Sequence, residues 1–240
     1  MRWMKNILVV FCLFFASPGL GKQIIPAWNY YLYPPFITEH KQGLVYQFIN
    51  QLNLYSDKQY KFRLKNIGKK SVDKRLAQGR QGIVLFVNEQ WMESSENIYL
   101  WSEPIMKGEN VLISNIANRV EYNDLSSLAG LRLGGIFGRQ YKGLDGLVKN
   151  KLITRYDVST EQDLLNLLVY RRVDIINMPR LVSEKLIQQL DLGHQVYVSS
   201  KPLYRFTRNI LITNELPHIK KHINQFILTL KEEPDWKTQL

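Results

Sequence analysis

The sequence predicts an α/β protein made of two successive blocks of strands and helices. Three observations carry this. Segments with alternating or unbroken apolar residues take turns with segments whose apolar residues recur every three to four positions. Gly82–Val87 is a continuous apolar run, the pattern of a strand buried on both faces, which implies helices flanking mainly parallel sheets. The 240 residues are 45% hydrophobic and 22% charged, enough to bury one large or two smaller cores.

The elements follow in order. Ile24–Tyr31 reads as a strand that runs into an aromatic loop, Trp28–Phe36, with Tyr30, Tyr31 and Tyr33 ahead of a double proline. Pro34 fixes its own φ and drives Tyr33 towards an extended backbone, so the loop is stiff. Gly43–Leu54 carries the helical stripe Leu44, Phe48, Ile49 and Leu52. Tyr60–Leu64 alternates as a strand, and Val72–Leu76 sits in a short charged helix ending at Gly79. Glu109–Ser114 is the next strand after Gly82–Val87. The second block opens with a short helix over Tyr122–Leu128, then a strand at Leu131–Ile136 and a helical stretch over Tyr141–Lys149. Ile153–Asp157 is a strand, and Ser159 with Gln162 forms a capping-box pattern for a helix carrying Leu164, Leu167 and Leu168. Val173–Met178 is a strand, and Pro179 suits the first turn of a helix reaching about Gln189. Strands at Gln195–Ser199 and Asn209–Thr213 precede a last helix from Pro217, with Ile219, Ile223, Phe226, Ile227 and Leu230 on one face.

The first 21 residues read as a secretory signal peptide. Arg2 and Lys5 precede the apolar run Ile7–Ala16, and Gly19 and Gly21 are small residues placed for cleavage after Gly21. The single cysteine, Cys12, lies in that run behind the bulky Phe11, which argues against lipoprotein processing and leaves the mature chain without disulfides. An exported, soluble, periplasmic monomer is expected. Without Arg2 and Lys5 the 32 basic residues fall to 30 against 21 acidic ones, a net +9. In an exported protein that charge suits anionic solutes or envelope surfaces rather than nucleic acid.

Four segments together resemble the extracytoplasmic solute-binding proteins of family 3. They are Tyr33-Pro34-Pro35-Phe36 followed by Gly43-Leu44, Tyr99–Ile105 with its aromatic-Ser-x-Pro pattern, Leu125–Gly138, and Arg172-Val173-Asp174-Ile175-Ile176. The resemblance implies a type II periplasmic-binding-protein-like clamshell. Lobe one would comprise residues 22–113 and 200–240 and lobe two residues 114–199, with hinge crossings near Ser114 and 199–201. It further implies a small-molecule solute held between the lobes, an inner-membrane ABC permease or a sensor as partner, no cofactor and no catalysis.

The sequence departs from that pattern where the ligand would be read. The resemblance calls for an arginine after the third strand of lobe one, yet Leu85–Ser95 contains none and Ser95 stands near its place. It also calls for an aspartate after the lobe-two strand, where Pro179 stands. An ordinary α-amino acid is therefore not the expected ligand, and a small polar or anionic solute is. The candidate wall residues in lobe one are Tyr30, Tyr33, Phe86, Asn88 and Trp91. Lobe two offers Arg139, Gln140 and Tyr141 at an expected helix N-terminus suited to an anion, with Asn177 and Arg180 facing the same cleft.

Other chemistry is weak by comparison. His218 and His222 share a helical face without an accompanying acid, so a solvated face is expected there rather than a metal. Gly134–Gly138 lacks the spacing of a dinucleotide loop. Glu89 and Glu93 read as exposed carboxylates. A dehydratase-like enzyme on the same fold would need an acid in the cleft, with Glu103 the nearest candidate, and a non-binding accessory protein is a third class.

Overall fold

The computed structural model describes residues 21–57, 59–92, 99–233 and 236. The leader, including Cys12, and the stretch holding Glu93 and Ser95 lie outside the described residues. In chain order the strands are β1 (Gln23–Asn29), β2 (Tyr60–Asn66), β3 (Ile83–Val87), β4 (Tyr99–Trp101), β5 (Met106–Asn115), β6 (Arg132–Ile136), β7 (Thr154–Val158), β8 (Ile175–Pro179), β9 (Val196–Val198) and β10 (Tyr204–Thr213). The helices are α1 (Leu44–Tyr55), α2 (Lys69–Ala77), α3 (Leu144–Lys149), α4 (Glu161–Val169), α5 (Arg180–Gln189) and α6 (Pro217–Leu230).

The strands join in the order β2-β1-β3-β10-β5-β8-β6-β7, with β4 on β10 and β9 on β5. Only the outer pairs β1–β2, β1–β3, β6–β7 and β6–β8 are parallel. The centre is antiparallel, which corrects the expectation of mainly parallel sheets. The reason is the two long strands, β5 and β10. Tyr204–Arg208 of β10 pairs with Met106–Asn110 of β5, while its second half, Asn209–Thr213, pairs with β3 and β4. The second half of β5, Asn110–Asn115, pairs with β8 and β9. Each strand thus serves both lobes, and their shared ladder links them. Ser114, where the sequence places a crossing, pairs with Ile175 and Tyr197.

Helix faces match the apolar stripes: α1 buries Leu44, Val45, Phe48, Ile49 and Leu52, and α6 buries Ile219, Ile223, Phe226, Ile227 and Leu230. Local chemistry moves some boundaries. The cap of α4 is Thr160, whose hydroxyl accepts from Asp163 N–H at 3.1 Å, one residue beyond the expected Ser159–Gln162 box. Asp124 accepts from the N–H groups of Ser126 and Ser127, so the expected helix at Tyr122 begins only at Leu125, as one 3-10 turn. A second apolar cluster, with Tyr122, Leu128, Leu133, Tyr141, Leu144, Ile153 and Ile175, is joined by Leu112 of β5.

Of the two histidines expected on a solvated face, His218 is exposed and His222 is half-buried. The His222 ring packs against Tyr55 and Tyr60, with centroids 5.1 and 4.7 Å away, and its Nε2 lies 2.6 Å from the Ser56 hydroxyl. Burial pushes its pKa down. Among the described residues no group of three His, Cys, Asp or Glu could hold a metal, and no helix is long and apolar enough to cross a membrane.

Candidate functional site

The aromatic loop after β1 is held against the start of α1. Gly43 has φ 103°, and a Cβ there would sit 2.5 Å from the Phe36 carbonyl, so only glycine allows this approach. Leu44 and Val45 N–H then donate to the carbonyls of Pro35 and Phe36. The Pro34–Pro35 peptide is cis. Phe36 is fully buried, stacked on Tyr31 at 4.7 Å and edge-on to Tyr33 at 6.1 Å.

At the end of β3 the chain makes a bulge. Asn209 pairs with Val87 and Leu211 with Val84, so Leu85 and Phe86 together face Ile210. Phe86 takes φ 58°, a strained value for a bulky residue. Its side chain joins the lobe-one core beside Phe36 and Phe48 rather than lining the cleft. Its carbonyl, however, accepts from Arg208 Nη1 at 2.8 Å. Asn88 caps the next turn, accepting from Gln90 N–H and donating to the Thr207 carbonyl. That turn presents Trp91, whose ring meets Phe206 edge-on at 4.8 Å.

Arg208, a buried cation on the cavity wall, is a candidate that sequence reasoning missed. It is 3% exposed, and its guanidinium carbon lies 4.7 Å from the ring centroids of both Tyr31 and Phe36, 5.1 Å from Trp91 and 5.2 Å from Phe206. The available signal was the run Tyr204-Arg205-Phe206-Thr207-Arg208, whose alternation reads as a strand continuing upstream of Asn209.

On the lobe-two side, α3 starts at Leu144 behind Gly143, so Arg139, Gln140 and Tyr141 precede the helix and do not form its N-terminus. Their backbone is engaged: Arg139 N–H donates to Ile136 and Tyr141 N–H to the Asp145 carboxylate. Tyr141 is buried in the lobe-two cluster, its hydroxyl accepting from Ile136 N–H, and Gln140 is exposed. Arg139 pairs with Glu161 at 2.6 Å, at the first residue of α4. Burial works to lower the Arg139 pKa, but Tyr33 and Glu161 beside it outweigh that and hold it charged. The Tyr33 phenol is pushed up by burial, against the opposing pull of Arg139. Tyr30, half-buried, is likewise raised, first by burial and then by the Tyr31 phenol, whose oxygen lies 3.0 Å from its own. Lys142 Nζ donates to Gln90 Oε1 at 3.0 Å, a direct bond between the lobes.

Tyr33 thus lies within electrostatic reach of Arg139 across the chain, and Trp91 packs on Phe206 and Arg208. Arg180 lies at the start of α5, bound to Glu109 of β5 and 3.8 Å from Glu184. Asn177 is 1% exposed within β8, and neither atom of its amide has a partner among the described residues. Glu103 is exposed, its N–H held by Asn224 of α6. A cavity of about 20 Å³ lies between the lobes, with Phe36 and Arg208 on one side, Gly108 and Phe206 at the shared ladder, and Pro179–Val182 on the other side.

No protein-family model and no curated protein sequence matches the chain. Solved structures do. An ancestral arginine-binding protein bound to arginine is similar with a TM-score of 0.72 and 13% identity, over 90% of this chain and 96% of that one. The GluR0 ligand-binding core from Nostoc punctiforme in complex with L-glutamate has a TM-score of 0.68 and 14% identity, over 90% and 96%. AbpA, an amino acid ABC transporter substrate-binding protein from Streptococcus pneumoniae bound to L-arginine, has a TM-score of 0.68 and 12% identity, over 90% and 92%. The lobes, the shared strands and these likenesses agree: the chain has the two-lobed α/β fold of periplasmic binding proteins.

Proposed function

We propose that this chain binds a small polar or anionic solute in the cleft between its lobes and delivers it, outside the cytoplasm, to a membrane transporter or sensor. The lobes comprise residues 22–113 with 200–240, and 114–199. The observation that carries the reading is the shared ladder of β5 and β10 beneath a cleft lined from both sides. Such a ladder lets the lobes part and close, and a solute touching both favours the closed form. The named neighbours bind amino acids, which supports a small solute. The wall here differs. Residues 85–92 carry no arginine, and Pro179 stands where an ammonium partner is expected, so an α-amino acid fits poorly.

Purified protein should gain thermal stability from at least one solute in a panel of organic acids, amino acids, sugars and short peptides. Mass action gives about 2.7 kcal/mol at a hundredfold excess over Kd. The same solute should reduce the radius of gyration in solution scattering. Silence across the panel in both measurements overturns solute binding.

A further inference from the structure

The site's chemistry narrows further. Resting on the cleft-binding reading above, we propose that Arg208 anchors the carboxylate of a small, apolar-bodied organic acid, between its guanidinium and the first turn of α5.

The first argument is charge. Arg139 holds Glu161, and Arg180 holds Glu109 and Glu184, while Lys107 on the cavity lining is exposed to solvent. Arg208 differs from all of them. It is nearly fully buried, yet it has no carboxylate within ion-pair range among the described residues. Its one protein hydrogen bond goes to the Phe86 carbonyl, from a side chain with five N–H donors. The aromatic faces of Tyr31, Phe36, Trp91 and Phe206 soften the desolvation but carry no negative charge to match it.

The second argument comes from the opposite wall. Pro179–Val182, which faces Arg208 across the cavity, is the start of the ten-residue α5. No side chain caps it, and its first turn contains no acid, so backbone N–H groups and the positive end of the helix dipole point there. Glu109 also borders the cavity, but Arg180 and Arg205 occupy its carboxylate. Two independent features of like sign thus meet at one small space, and an anion satisfies both.

The third argument is shape. Phe36, Met106 and Phe206 give the remaining wall an apolar surface, Gly108 and the exposed Lys107 complete it, and about 20 Å³ is open. A planar carboxylate suits both that space and the forked donors of arginine. A ligand with a free ammonium group finds no unpaired carboxylate there. The recognition is the reverse of what Pro179 replaces: a positive helix end stands where the resemblance expects an acid.

The test pairs acids with their neutral amides: acetate with acetamide, propionate with propionamide, benzoate with benzamide. Thermal shifts are titrated on wild type, Arg208→Met and Arg208→Lys. At least one acid should stabilise wild type while its amide does not. Arg208→Met should raise the half-saturating concentration about thirtyfold or more. Arg208→Lys, which keeps charge without the fork, should raise it less. Ligand-free Arg208→Met should melt no lower than wild type, because an uncompensated buried cation is being replaced by an apolar chain. Equal acid affinity in wild type and Arg208→Met overturns the assignment and leaves the cleft reading standing. Equal response to acids and amides overturns it too, as does a large drop in the ligand-free melting temperature, which would make Arg208 a structural prop. If no acid binds while a sugar or peptide does, the carboxylate fails and solute binding survives.

Discussion

The two ends of the cleft handle positive charge in opposite ways. At the inner end, under the shared ladder, Arg208 is buried among four aromatic rings with no carboxylate partner among the described residues. At the outer end, Arg139 is bound to Glu161, and Lys142 reaches Gln90 on the other lobe. Pairing satisfies Arg139 within lobe two, and the Lys142–Gln90 bond alone of these contacts joins the lobes. The inner end is satisfied by the protein only in part, and a buried charge of that kind favours a counter-ion from outside.

The comparison can be broken at its inner end first. Phe36→Ala removes a fully buried ring that touches Tyr31, Tyr33 and Phe86 and supports the Arg208 cage. It should lower stability by about 3–5 kcal/mol in urea unfolding. A loss under 1 kcal/mol would mean the cage does not depend on it. Next, Glu161→Gln makes the outer end resemble the inner one by stranding Arg139. A cost of about 1–3 kcal/mol is expected, largely restored by adding Arg139→Gln in a double-mutant cycle. Strict additivity would deny the pairing its role. Smaller still, Gln90→Ala should cost the closed form at most about 1 kcal/mol and enlarge the ligand-free particle in solution scattering. An unchanged particle would remove the Lys142 contact from closure.

His222, away from both ends, supplies a pH control. Burial holds its folded pKa below 6.5, so as pH falls through 6.5 the unfolded chain takes the proton first. The stability is present above that value and is lost below it. Melting temperature should therefore fall between pH 7 and 5 in wild type, and the slope should flatten in His222→Leu. A slope identical in both would place the titration elsewhere.

Most of the fold was legible because burial writes itself into the sequence. The unbroken run of β3, the stripes of α1 and α6, and Pro179 ahead of α5 each reflect one local rule. The candidate site was legible only in part. Tyr33 and Arg139 were marked as candidates by a stiff loop and a glycine-ended strand, and the two lie within electrostatic reach of each other. Tyr141 and Phe86 belonged instead to cores, since an aromatic residue in a sequence looks the same whether it lines a cleft or fills a lobe.

The sequence alone determined the alternation of strands and helices, the two blocks and the absence of any arginine from residues 85–95, because these depend on residue type and near neighbours. Tertiary structure alone decided that Arg208 meets Tyr31, Phe36 and Trp91, residues separated from it by more than a hundred positions. It also decided that the uncapped first turn of α5 and that arginine line the same small cavity. Both depend on β10 crossing between lobes with a bulge opposite Phe86, a pairing that no local pattern encodes.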